Sequence, residues 1–143
     1  MTIFEKVKAG SPLAALLNAQ DEVVWQAAES PASTAYRDYF SGKLNDLGAV
    51  KLCSNQAGLA MALLCSRLSI SECLAYRVSA CGLEEFQKRG IHVQYEELIP
   101  LVRSSKDESM VCPIEQFLAD HEDEAVRWDF LTKKYKPETA VLP

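Results

Sequence analysis

The chain has 143 residues, 48% of them hydrophobic and 24% charged, with a formal net charge of −5. That length suits one domain whose core needs no disulfide or metal staple, and the acidic balance without a basic cluster argues against a nucleic-acid partner. Five cysteines, an odd number with no CxxC pair, and an N-terminal stretch with no apolar segment predict free thiols, no secretory signal and a cytoplasmic location. The longest near-continuous apolar run covers residues 57–65. A membrane-spanning helix requires ~20, so no membrane partner is expected.

In chain order, residues 13–17 are ambiguous. Ala and Leu favour a helix there, whereas Asn18, Gln20 and Asp21 favour a hairpin. Residues 22–26 read as a strand. The cluster Ser30-Pro31-Ala32-Ser33-Thr34 breaks the chain and supplies a helix cap. Residues 34–43 then read as a helix with Tyr36, Tyr39 and Phe40 on one face. Residues 49–53 are a short apolar strand. Ser54-Asn55 reads as the cap of a helix over residues 56–67, apolar on nearly every side and so buried all round.

Glu72–Ser79 is a strand with Cys73, Ala75 and Tyr76 inside it. Residues 81–89 are a helix with Leu83 and Phe86 inward and Gly90 just past its end. Ile91, Val93 and Tyr95 alternate with His92, Gln94 and Glu96, the pattern of a half-buried strand. Strand, helix, strand, helix, strand on short connections predicts a parallel α/β layer. Pro100 interrupts residues 98–102, and residues 103–109 are a polar loop. Pro113–Asp120 and residues 122–134 are helices, and the single domain 1–143 ends in a loose tail from 137.

Cys112-Pro113-Ile114-Glu115 carries the clearest chemical signal. A small polar side chain, Pro, then Glu two residues on reads as Ncap, N1 and N3 of a helix. A helix N-terminus stabilises a thiolate over a thiol. Cys112 is therefore the candidate nucleophile or redox-sensitive thiol, with a buried small residue at a helix start as the equal alternative. His92 and His121 are the only candidate bases, and neither is placed to serve it. Glu115 at N3 is expected to bond its own helix start.

Residues 56–64, Gln-Ala-Gly-Leu-Ala-Met-Ala-Leu-Leu, resemble the V-V-G-K-A-A-A-L-L helix of a small, functionally uncharacterised prokaryotic family with the cytidine-deaminase-like fold. The likeness runs through residues 90–100 and ends in Cys112-Pro113-Ile114-Glu115, similar to that family's C-P-M-E. It implies a three-layer α/β/α sandwich whose mixed sheet opens with an N-terminal hairpin, and it tips residues 13–17 toward strand. One departure stands out. The family carries Asp-Lys where this chain has Ser54-Asn55, and its helical Lys after the Gly is Leu59 here.

Zinc deaminases carry a His or Cys with a Glu at one helix start and P-C-x-x-C at the next. Here those places hold Cys53-Ser54-Asn55 and Ser79-Ala80-Cys81, with neither the Glu nor the second Cys. Convergence of Cys53, Cys81 and Cys112 on zinc lacks the usual paired ligand spacing, so no metal and no cofactor are expected. Parallel α/β sheets bind ligands beyond the carboxyl ends of their strands, at helix N-termini. Ser54, Asn55, Ser79, Cys81 and Glu115, with Cys112, are accordingly the candidate site for a small nucleotide-like molecule. For Ser54 and Asn55, plain capping is the stronger reading. Arg103 and Lys106 read as a solvated loop, with closure over an anion as the alternative. Two other readings stand beside ligand binding. One is a homodimeric interaction protein using a sheet edge or the aromatic face of residues 36–40. The other is a thiol-dependent enzyme using Cys112.

Overall fold

The computed structural model describes residues 1–137, so residues 138–143 of the expected tail lie outside it. A mixed five-stranded sheet of order β2-β1-β3-β4-β5 organises the chain. The strands are β1 (Ala14–Asn18), β2 (Val23–Ala27), β3 (Ala49–Ala57), β4 (Glu72–Ser79) and β5 (His92–Ile99). β1 pairs antiparallel with both β2 and β3, and β3-β4-β5 run parallel. The N-terminal hairpin and the parallel layer are therefore both present. Asn18 ties the hairpin turn, its side chain accepting from the amides of Gln20 and Glu22.

Helices cover both faces unequally. α1 (Ile3–Lys8) lies alone on one face, where Val7 packs with Leu17 and Cys53. The sequence reading missed this six-residue helix, which is too short for periodicity to reveal. Its start is marked instead by Thr2, whose hydroxyl accepts the Glu5 amide. The other face carries α2 (Pro31–Phe40), α3 (Leu59–Arg67), α4 (Ala80–Lys88), α5 (Pro113–Asp120) and α6 (Glu124–Tyr135). Tyr36, Leu52, Leu63, Phe86, Leu118 and Leu131 are sealed in that core.

Two expectations are corrected here. Ser54 and Asn55 do not cap a helix; they lie inside β3. β1 and β4 hydrogen-bond to β3 on its two sides, pairing Ser54 with Ala14 and with Ala75. The ladder carries the strand through two residues that favour caps in isolation, and α3 begins only at Leu59, after Gly58. The strand at residues 91–96 was expected to be half-buried. Ile91 is buried, but most of β5 is exposed, because it forms the outer edge of the sheet.

The aromatic face of α2 is not an open surface. Tyr36 is fully buried, stacking on Tyr135 and tilting against Trp128, while Tyr39 also meets Trp128. Its helix starts at Pro31, three residues earlier than expected, with Ser30 before it at φ +40°. Among the described residues, no helix is long and apolar enough to cross a membrane.

Candidate functional site

A cavity of about 320 Å³ opens where α2, α3 and α5 begin. Ser30-Pro31-Ala32-Ser33 come from the start of α2, Gly58, Ala60 and Met61 from the start of α3, and Cys112 through Glu115 from the start of α5. Val102 through Lys106 form one wall. α2 and α5 share a local design. Each has Pro at N1, and neither N-cap side chain, Ser30 or Cys112, bonds its own helix. Ser30 has a left-handed backbone where an N-cap is normally extended, and a thiol is a weak acceptor. First-turn amides of both helices are thus left without a side-chain partner at the cavity.

α3 is different, because Glu115 caps it from α5. Its Oε1 accepts the Leu59 amide at 2.8 Å, and Oε2 accepts the Val102 amide at 3.0 Å. Glu115 is only 2% exposed. It does not close a capping box on its own helix, which corrects the expectation from N3 spacing. The close fit depends on Gly58. A Cβ there would lie 2.5 Å from Val102 Cγ2 and 2.6 Å from both Glu115 oxygens. Gly82 in turn lets α4 approach, since its Cβ would meet Gly58 Cα at 2.5 Å.

The charge of the cavity runs against that of the chain. Among the described residues, Arg37, Arg103, Lys106 and Lys134 line it, against the single carboxylate of Glu115. Among the described residues, none of these four cations forms a salt bridge, whereas Lys8, Lys51, Arg77, Arg89 and Arg127 all do. The loop bearing Arg103 is held from the sheet. Gln56 Oε1 accepts the Arg103 amide at 2.8 Å, and Gln56 Nε2 donates to the Arg103 carbonyl at 3.2 Å. Arg77 grips Glu108 further along the same loop at 2.7 Å.

The expected site residues divide. Cys112 and Glu115 line the cavity; Ser54, Asn55, Ser79 and Cys81 do not. Ser54 is fully buried, its hydroxyl donating to the Gln56 carbonyl. Asn55 Nδ2 donates to the carbonyls of Val7 and Lys8, and its Oδ1 accepts from Arg77 at 2.7 Å. It therefore caps the C-terminus of α1. Ser79 is the N-cap of α4, accepting the Gly82 amide at 3.1 Å. Cys81 is half-buried, and burial followed by the charge of Glu115 pushes its thiol up.

Cys53 packs with α1 on the opposite face from Cys81 and Cys112, so the three thiols do not converge. Among the described residues, no group of three or more His, Cys, Asp or Glu side chains is arranged to hold a metal. His92 is exposed on the edge strand, and His121 stacks on Phe117 and contacts its carbonyl. Neither lines the cavity.

Sequence reasoning passed over Arg37, Gln56 and Lys134 and set Arg103 and Lys106 aside as solvated. One local signal was available. Ser30-Pro31 repeats the Cys112-Pro113 pattern of a small polar residue followed by Pro, and both mark helix starts on this cavity. Nothing in the sequence signals that α6 brings Lys134 to the same place.

The family model described as "TM1506: Domain of unknown function (DUF1893)" matches residues 5–135. No curated protein matches the chain. Among solved structures, a DUF1893 family protein (TM1506) from Thermotoga maritima is 23% identical, with a TM-score of 0.69, covering 92% of this chain and 84% of that one. That likeness establishes a shared fold.

Proposed function

This chain belongs to the DUF1893 family, a domain of unknown function, and from that premise we propose that it binds a phosphorylated, nucleotide-like small molecule in the cavity between α2, α3 and α5. One observation carries the reading. A protein of net charge −5 gathers four cations without salt-bridge partners among the described residues around a cavity onto which two uncapped helix starts open. Helix N-termini and guanidinium or ammonium groups favour the same ligand chemistry, an oxyanion. The apolar side chains of Met61, Val102 and Ile114 supply a surface for the rest of such a molecule.

The finer fold assignment belongs to this proposal. A hairpin strand beside a parallel trio, with helices following β3 and β4, supports a cytidine-deaminase-like sandwich. The helix starts that carry deaminase chemistry in that fold have no catalytic equipment here: α3 is capped by Glu115 and α4 by Ser79. Binding without metal-dependent deamination is the consequence. Cys112 is the one thiol of the cavity lining, and no histidine accompanies it. The same geometry that supports ligand binding offers a thiol-dependent reaction no base.

Thermal shift with inorganic phosphate and adenosine 5′-monophosphate tests the reading. Saturation at 100 times Kd is expected to add about 2.7 kcal/mol of stability. Exchange of Arg37 and Arg103 for Glu, or a rise in salt, is expected to abolish the shift. No response to either compound at millimolar concentration would sink the proposal.

A second reading is homodimerisation through β5. This eight-residue edge strand holds no Pro or Lys, and it exposes Tyr95 and Leu98. Antiparallel self-pairing about Tyr95 and Glu96 would set each of them opposite the other and Gln94 opposite Glu97, so no two carboxylates meet. Light scattering at the elution peak decides it, since a monomer at high micromolar concentration excludes this assembly.

A further inference from the structure

Depth within the cavity separates two kinds of group. Arg37, Lys106 and Lys134 are exposed and Arg103 is partly so, which puts the cations at the mouth. Glu115 is 2% exposed yet lines the same space, which puts a carboxylate at the floor. Each of its oxygens already accepts one backbone amide, from Leu59 and from Val102. A carboxylate oxygen has two acceptor sites, so each retains one more. Those two bonds also hold the carboxylate still, without rotamer freedom to lose on binding.

Resting on the proposal that the cavity binds a phosphorylated molecule, we infer that its ligand is two-ended: an anionic phosphate at the mouth, and a hydroxyl or amine that donates to Glu115 at the floor. Glu115 is then the specificity-determining residue. It occupies the α3 N-terminus, where a second phosphate would otherwise dock, and it repels any anionic group that reaches the floor. Inorganic pyrophosphate and other molecules charged at both ends are rejected. Molecules whose far end donates hydrogen bonds are selected, because an apolar far end offers no donor to the remaining acceptor site of each Glu115 oxygen.

Calorimetric titration of the wild-type protein with three probes tests this. Inorganic phosphate reports the mouth alone. Adenosine 5′-monophosphate and its 2′,3′-dideoxy form differ only in the hydroxyls that reach the floor. The diol is expected to bind at least about tenfold more tightly than the dideoxy form. Glu115→Gln, which retains one acceptor oxygen where the carboxylate has two, is expected to weaken that preference. Should the variant not fold, the wild-type comparison decides by itself. Equal affinity for the two nucleotides while phosphate still binds overturns this inference and leaves the anion site standing. Binding of none of the three probes removes both.

Discussion

Glu115 caps a helix to which it does not belong. Its Oε1 lies 2.8 Å from the Leu59 amide, 56 positions away along the chain, and this single bond joins the start of α3 to the first turn of α5. Its second oxygen fixes Val102, at the base of the loop that carries Arg103 and Lys106. One buried side chain therefore sets the relative position of three of the cavity's walls. Glu115→Ala removes two charge-assisted bonds and leaves buried amides unpaired. The expected loss is about 3 kcal/mol, read as a lowered urea midpoint with unchanged slope.

The glycines beneath that contact rank in a defined order. Gly82→Ala drives a methyl into backbone, 2.5 Å from Gly58 Cα. Gly58→Ala meets side-chain atoms of Val102 and Glu115, which yield in part. Losses of roughly 3 and 2 kcal/mol are expected, in that order. Equal stabilities, or the reverse order in urea unfolding, would contradict the packing described.

Thiol reactivity reports the cavity directly. Burial pushes the Cys65 thiol up to about 12 and that of Cys53 up to about 11, and drives Cys73 well above the ordinary range. All three are also almost wholly inaccessible. Iodoacetamide at neutral pH is expected to label Cys112 and Cys81 in the native protein, and the other three only after unfolding. Because Cys112 alone lines the cavity, a bound phosphate compound is expected to slow its labelling and leave Cys81 unaffected. Peptide mass mapping over time reads both outcomes.

A buried ion pair outside the cavity lining ties α4 to α6. Glu85 accepts from Arg127 at 3.0 Å and from Arg89 at 2.8 Å. Burial pushes its carboxyl up, but the hydrogen bonds from Arg89 and Arg127 outweigh burial and hold it below its ordinary 4.5. A carboxyl lowered by folding contributes stability above its unfolded value, and that contribution disappears as pH falls through the folded one. Glu85→Gln is expected to cost about 3 kcal/mol at pH 7, because Arg127 is left charged in a buried site. The difference from wild type should shrink below pH 4.5. Urea titrations at pH 7 and pH 3.5 compare the two.

Much of the architecture was legible locally. The bounds of β4 and of α5 follow from alternation and from a small polar residue before Pro, signals that act within a few positions. The failures share one cause. Ser54 and Asn55 have cap chemistry, but a ladder on each side of β3 outbid it. Asn55 does cap a helix, α1, at its far end and from 47 positions away. Lys134 is an ordinary surface cation until α6 delivers it to the mouth of the cavity.

The amino-acid order alone determined the parallel strand-helix core and a thiol at the start of a helix, while local propensity left residues 13–17 open between helix and hairpin. It did so because hydrophobic period and backbone preference are properties of neighbouring residues. Which helix end each polar side chain satisfies, and which cations face one another across a common space, was decided only in three dimensions. An orphan amide or a desolvated carboxylate takes the nearest partner in space, and in this protein that partner comes from a distant part of the chain.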